Sequence, residues 1–198
     1  MGLDLDYAGG QTPLEEDEKE GLLITTITTR GELDEFEQLG VEKAIEWTRR
    51  RRIALQDILT EDFVRELHKR MFADIWKWAG HFRTSNKNLG VDKNEIRAEL
   101  RKVLDDCRYW VSHKVFIEDE IAVRFSHRLV AIHPFVNGNG RHSRLIADIM
   151  ISHGFDRRHF TWGSVSLTAK GLARSTYLSA LREADQSNYQ PLIEFARQ

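Results

Sequence analysis

The residues best suited to chemistry lie in one run: His133-Pro134-Phe135-Val136-Asn137-Gly138-Asn139-Gly140-Arg141-His142-Ser143-Arg144. A histidine titrates near neutral pH, so His133 suits a general base that accepts a proton from an attacking hydroxyl. Gly138 and Gly140 permit the positive φ that lets successive backbone N–H groups converge on an anion. If a helix starts at Arg141, the positive end of its dipole adds to that point. Arg141 and Arg144 are three residues apart and share one helix side, and their planar forks match phosphate oxygens. Asn137 offers a neutral oxygen to Mg²⁺, an ion that takes few protein ligands beside phosphate and water. Together these groups would bind a polyphosphate and move part of it onto a hydroxyl, a reaction carried mostly by positioning and charge stabilisation. A lone Gly-x-Gly or His-Pro would read as a turn; the ordered set carries the inference.

The elements that must position this run read as mostly α. Thr29 is an N-cap with acidic residues in the turns that follow, so a helix should start near it. Val41, Ala44, Ile45 and Thr48 fall on one helical face, and Phe63, Leu67, Met71 and Ile75 repeat at four-residue spacing behind Thr60. The pattern breaks at Ala79–Val91, where Gly80, Gly90 and an Asn-rich centre suggest a loop or short hairpin. Helices are expected from Asn94-Glu95 through Trp110, over Ile121 to Val130, and as a buried segment over Arg144 to Ile151. Further helices are expected over Ser175 to Ala184 and Leu192 to Ala196. Gly21-Leu-Leu-Ile-Thr-Thr-Ile is a strand or extended segment. Residues 1–27 read as an N-terminal arm and 28–198 as the domain.

Bulk properties exclude several classes. A formal charge of −2 gives no global pull towards nucleic acid or acidic lipid, so no direct nucleic-acid binding is expected. Arg49–Arg52 has no aromatic interleaving and reads as a solvated helix end. Cys107 is the only cysteine, so no internal disulfide or cysteine metal cluster can form; it reads as a small buried helix residue. The spacing of His127, His133, His142 and His153 fits no zinc pattern. Neither a signal peptide nor a membrane span is expected, which makes the cytoplasm the expected location.

The His133–Arg144 run resembles the signature of the Fic family, His-Pro-Phe-x-(acid or Asn)-Gly-Asn-Gly-Arg-x-x-Arg, with every fixed position met. Ala79-Gly80-His81-Phe82-Arg83-Thr84 resembles the family's lead into a "flap", a small β-hairpin that docks the target. The resemblance covers roughly Thr28 to Tyr189. It implies a Fic-type helical bundle with a β-hairpin flap near the active site, and transfer of AMP from ATP to a protein Ser, Thr or Tyr. It implies His133 as the base and Asn137 as a Mg²⁺ ligand. Gly138, Asn139 and Gly140 would form the anion hole, Arg141 would grip the outer phosphates, and Arg144 the γ-phosphate. The target would dock around residues 84–92. Many relatives carry an acid at the Asn137 position, and a neutral amide should hold Mg²⁺ more weakly. Two other readings stay open. One is a Doc-like phosphotransferase, a branch with Lys where this chain has Gly140; the other is a catalytically silent nucleotide-binding or interaction module.

Many Fic proteins carry a brake, Ser/Thr-x-x-x-Glu-Gly/Asn, whose Glu pairs with the second signature arginine. Thr28-Thr-Arg-Gly-Glu32 matches its first five positions and Leu33 breaks the sixth. The resemblance therefore implies inhibition through Thr28 and Glu32, with Glu32 on Arg144; the bland reading is a capped helix start. Ser179–Glu183 is a weaker C-terminal candidate. Gly21-Leu-Leu-Ile, Ile27–Gln38 and Phe160-Thr-Trp-Gly163 resemble the mobile mystery protein B type of Fic protein. That subgroup is encoded beside a small helix-turn-helix protein in a toxin–antitoxin-like pair, which implies such a partner here.

Overall fold

Helix starts are set by capping and helix faces by apolar spacing. A computed structural model describes residues 14–164 and 171–198; Gly9, Gly10 and Pro13 of the expected arm lie outside them. In chain order come α1 (Glu16–Lys19), α2 (Arg30–Arg49), α3 (Leu55–Ile58), α4 (Glu61–Phe72) and α5 (Ile96–His113). They are followed by α6 (Glu118–Ile132), α7 (Asn139–Ile149), α8 (Leu172–Asp185) and α9 (Gln190–Arg197). A π turn, Met150–Gly154, extends α7. Thr29 caps α2 by accepting from the Glu32 N–H, and Thr60 caps α4 by accepting from the Phe63 N–H. No helix among the described residues is long and apolar enough to cross a membrane.

Helix α6 lies at the centre, packed on α5 and α7, while α2 packs on α4 and α8 on α9. Its buried residues run Ile121, Ala122, Val123, Phe125, Ser126, His127, Leu129 and Ile132, more than one stripe, as a helix enclosed on several sides requires. The core is built on Phe72, Trp76, Phe125 and Phe135, each almost wholly inaccessible. Helix α2 turns Leu33, Glu37, Gly40, Ala44 and Thr48 inward. Gly40 lets α2 lie against α4: a Cβ there would fall 2.1 Å from the Met71 carbonyl oxygen.

The expected hairpin is replaced by another arrangement. Residues 83–92 form an irregular loop in which neither flank pairs with the other. Instead both flanks pair with the segment entering the signature: Phe82 bridges Phe135, Arg83 N–H donates to Pro134 O (2.9 Å), and Val91 N–H to Ile132 O (3.3 Å). The buried Arg83 guanidinium spans the loop, donating to the carbonyls of Ser85 (2.9 Å), Val91 and His133 (2.7 Å). A side chain thus does the bridging that strand pairing would have done.

Gly21–Ile27 makes a single bridge, Leu22 to Trp76, with Leu23 N–H on Ile75 O (2.8 Å) and Lys77 N–H on Gly21 O (2.9 Å). Ahead of it, Glu18 is buried and receives Lys87 from the loop, which also reaches Glu15 at 3.3 Å. Residues 14–27 therefore pack on the body beside that loop.

Candidate active site

His133 ends α6 in a left-handed conformation (φ +55°). Its N–H closes on Leu129 O, and its carbonyl is held by Arg83. That reversal turns the ring out of the helix path. The Nδ1–H donates to Val130 O at 3.3 Å, which leaves Nε2 as the acceptor of the ring. Burial pushes the imidazole down to about 4, opposed by the Val130 bond and assisted by the Arg83 and Lys87 charges. His133 is therefore neutral, as a base must be.

The loop after it is locked from inside. The buried Asn139 amide accepts from Phe135 N–H (2.9 Å) and donates to Phe135 O (2.8 Å). Gly138 takes φ +76°, and a Cβ there would meet the Phe72 ring at 2.5 Å; only glycine fits both demands. The buried His68 ring of α4 lies stacked on Phe135 at 3.7 Å. It accepts from Gly80 N–H at Nδ1 (3.0 Å) and donates from Nε2 to Asn137 O (3.0 Å). Burial, with the nearby His142 and Arg141, keeps that ring well below its usual range. His142 is also buried, donates to Val64 O at 2.9 Å, and is pushed down by burial to about 4.

Helix α7 begins at Asn139, two residues earlier than Arg141, and its first internal bond is His142 N–H to Gly138 O (2.9 Å). The amides of Asn139, Gly140 and Arg141 precede that bond and point out of the helix start, where an anion would find them. The Gly138 N–H is engaged elsewhere, on its neighbour Asn137 Oδ1 at 2.6 Å. Of the three expected amides, those of Asn139 and Gly140 lie in the open first turn of α7, and that of Gly138 is engaged by its neighbour.

Arg141 is anchored from α2. Its Nη2 meets Glu37 Oε2 at 2.6 Å, and Glu37 Oε1 accepts from Trp76 Nε1–H at 2.8 Å. Glu37 is fully buried. Removing one partner of a buried pair costs roughly 3–5 kcal/mol, because the other charge is left uncompensated. Arg144 lies over the Tyr177 ring of α8 at 5.1 Å. Four residues on, burial pushes the Asp148 carboxyl up to about 7, opposed by the Trp162 bond (2.9 Å) and by Arg144.

His133, Asn137, Gly138, Asn139, Gly140, Arg141 and Arg144 all line one cleft of about 580 Å³. Arg30, Leu89, Gly90, Val130 and one face of α8 from Arg174 to Asp185 complete its walls. Thr28 and Glu32 are exposed and are not among them. The Glu32 Oε2 accepts from Thr28 N–H (2.9 Å), Thr29 N–H (3.0 Å) and the Thr29 hydroxyl (3.0 Å), a capping box at the start of α2. Those bonds, the Thr28 backbone bond foremost, hold its carboxyl below the usual range.

Sequence reading did not find Glu37, His68, Arg30 or Arg174, nor the clamp role of Arg83. Glu37 left one signal: an acid on the inward spacing of Leu33, Gly40 and Ala44. Trp76 is core, and Trp78 Nε1–H donates to Glu18 O at 3.2 Å. Cys107 is buried on α5, its thiol pushed up to about 12 by burial. His127 meets Asp185 at 2.8 Å, and Arg51 covers Trp47 at 5.2 Å.

Comparison with known proteins agrees with this geometry. The Fic/DOC family model matches residues 58–151. A protein adenylyltransferase Fic from Nematostella vectensis is 24% identical over 167 residues, 82% of this chain and 37% of that protein. The chain thus spans about a third of the length of the curated relatives it matches. Among solved structures, the N-terminal FIC domain of Bep8 from Bartonella sp. 1-1C superposes with a TM-score of 0.69 at 15% identity, covering 88% of this chain and 89% of that one. BepC from Bartonella tribocorum, with bound AMPPNP, gives a TM-score of 0.65 at 17% identity, covering 92% and 97%. With its signature on the turn from α6 into α7, the chain carries a Fic/DOC family match over residues 58–151 and shares the fold of these Fic domains.

Proposed function

We propose that this protein transfers AMP from ATP to a Ser, Thr or Tyr hydroxyl of a target protein. The observation that carries the reading is the meeting, in one cleft, of a neutral acceptor-bearing His133 with the outward amides of α7 and two signature arginines. Relatives named protein adenylyltransferase Fic and a similar domain holding AMPPNP support it. In the reaction, His133 Nε2 takes the proton of the target hydroxyl. The hydroxyl oxygen bonds to the α-phosphorus, the bond from that phosphorus to the bridging oxygen breaks, and pyrophosphate leaves. The amides of Asn139, Gly140 and Arg141 would receive the charge growing on the phosphoryl oxygens.

Asn137 is the residue that would hold Mg²⁺. Its amide oxygen gives one lone pair to the Gly138 N–H and keeps another, which fits an ion that takes one or two protein ligands. When bound, Mg²⁺ would draw charge from the phosphates. Gly140, where the Doc-like branch has Lys, favours this chemistry over phosphoryl transfer; the space itself would admit a Cβ, whose only neighbour is Arg144 Nη1 at 3.6 Å. A lysine at this position would bring a further cation beside that guanidinium.

A target would dock along the 84–92 loop, next to His133. A brake at Glu32 would require its carboxylate to leave the capping box and reach Arg144. The resemblance to paired-gene Fic proteins also points to a helix-turn-helix partner, testable by co-expression of the two chains and reading transfer with and without it.

Intact-protein mass spectrometry after incubation with ATP and Mg²⁺ tests the reading for wild type, Glu32→Gly and Glu32→Gly/His133→Ala. A mass gain of AMP, lost with His133→Ala, is the expected result. A gain of phosphate would transfer the protein to the Doc-like branch. Higher gain in Glu32→Gly than in wild type would establish the brake.

A further inference from the structure

The cleft carries more positive charge than the signature supplies. Arg30, the first residue of α2, and Arg174, in the first turn of α8, line it beside Arg144 of α7. The three come from separate helices and converge. Arg144 lies over the ring of Tyr177, one turn along α8 from Arg174. Arg30 is also paired with its i+4 neighbour Asp34 at 2.9 Å. Burial holds the Arg174 guanidinium below its usual range, and the charges of Arg144 and Arg30 add to the effect. Three converging guanidiniums repel one another, and an anion of high charge density between them relieves that repulsion.

The far end of the same α8 face is different. There Asp185 meets His127, and Leu178 and Leu181 line the wall between. Eleven residues of helix, about 16 Å, separate Arg174 from Asp185. The cleft is therefore graded in charge: three arginines gather at one end, while at the other the leucines lie beside a single arginine, Arg182, set against the acid Asp185. That is the polarity of a nucleoside triphosphate lying along α8 with its outer phosphates towards Arg174.

We propose that Arg30 and Arg174 join Arg144 in a three-guanidinium subsite for the terminal phosphate of the nucleotide. The proposal rests on the nucleotide reading above and adds to it residues outside both the signature and the matched segment 58–151. It also gives α2 an unexpected sign. The helix whose start resembles an inhibitory element aims a cation into the cleft, while Glu32, two residues on, turns back to cap its own helix.

Calorimetric titration of AMPPNP, ADP and AMP, with Mg²⁺, into wild type, Arg30→Ala and Arg174→Ala tests it. Charge-assisted bonds to phosphate are each worth about a tenfold change in affinity. Each substitution should therefore weaken AMPPNP about tenfold and leave ADP and AMP within about twofold. Arg30→Lys and Arg174→Lys, which keep the charge and lose the fork, should fall between and also control for folding. Equal weakening of all three nucleotides, or no change with AMPPNP, overturns the subsite. Selective loss of AMPPNP affinity in a protein that transfers phosphate, or nothing, keeps the subsite and removes the adenylyl-transfer reading. Wild type that binds none of the nucleotides overturns both.

Discussion

Helices α7 and α2 both serve the cleft, in opposite ways. Helix α7 contributes its backbone: its first amides open at the cleft, and its entry loop is closed by Asn139 on Phe135. Its donors and the bonds that close its entry loop lie within a dozen residues. Helix α2 acts through side chains. Glu37 reaches Arg141 across 104 positions, and Arg30 reaches the cleft from a helix that begins a hundred residues earlier. One element makes the chemistry local; the other makes it depend on packing. The lesson is that a short signature can carry a reaction while the orientation of its arginines is decided elsewhere in the chain.

The sharpest way to break the comparison is to remove chemistry without packing. His133→Ala should lower single-turnover transfer by about 10²–10⁴-fold, the usual worth of a positioned general base. Nucleotide binding should stay within a few-fold by calorimetry. Retained transfer would mean that another group takes the proton.

Removing packing support should do the reverse. Glu37→Ala leaves Arg141 without its buried partner and should cost roughly 3–5 kcal/mol in denaturant unfolding. The Michaelis constant for ATP should rise more than the turnover number falls. Glu37→Gln keeps the shape and one acceptor oxygen, for either Trp76 or Arg141, but turns an NH2 towards the other donor, so it should recover only part of each loss. Equal behaviour of the two variants would show that the charge, not the hydrogen bonding, holds Arg141.

Acid acts on both helices' neighbours at once. His133 and His142 sit near 4 in the fold against an ordinary 6.5, so the unfolded chain binds more protons between those values. Their stabilisation is complete above about pH 6.5 and is lost as pH falls towards 4, on the order of 3 kcal/mol each. Asp148, raised to about 7, works in the other direction over the same range. Unfolding measured from pH 7 to 4.5 should show a net fall in stability, and His142→Asn should flatten it. An unchanged slope in that variant would remove His142 from the account.

The smallest effect expected is at the start of α2. Thr29→Ala removes the cap and should cost about 1 kcal/mol, with transfer unchanged. Glu32→Gly should also lower the thermal midpoint, since it opens the other half of the capping box. A rise in self-modification alongside that loss would mean that Glu32 restrains the site as well as capping the helix.

The sequence alone determined what is local. The His133–Arg144 run, its glycines, the caps at Thr29 and Thr60 and the mostly helical class are fixed by φ preferences, capping bonds and apolar periodicity, all acting over a few residues. The engagement of the Gly138 N–H was out of reach, because it depends on where Asn137 sends its side chain. For the 84–92 segment, glycines and asparagines mark a loop or short hairpin, and whether its flanks pair with each other depends on what else offers partners. Here the segment 132–135 and the buried Arg83 offer them. Glu37 on Arg141, His68 on Asn137 and Gly80, and the meeting of Arg30, Arg144 and Arg174 were decided by tertiary structure. Each joins separate elements, and short-range propensity carries no information about which buried charges will meet.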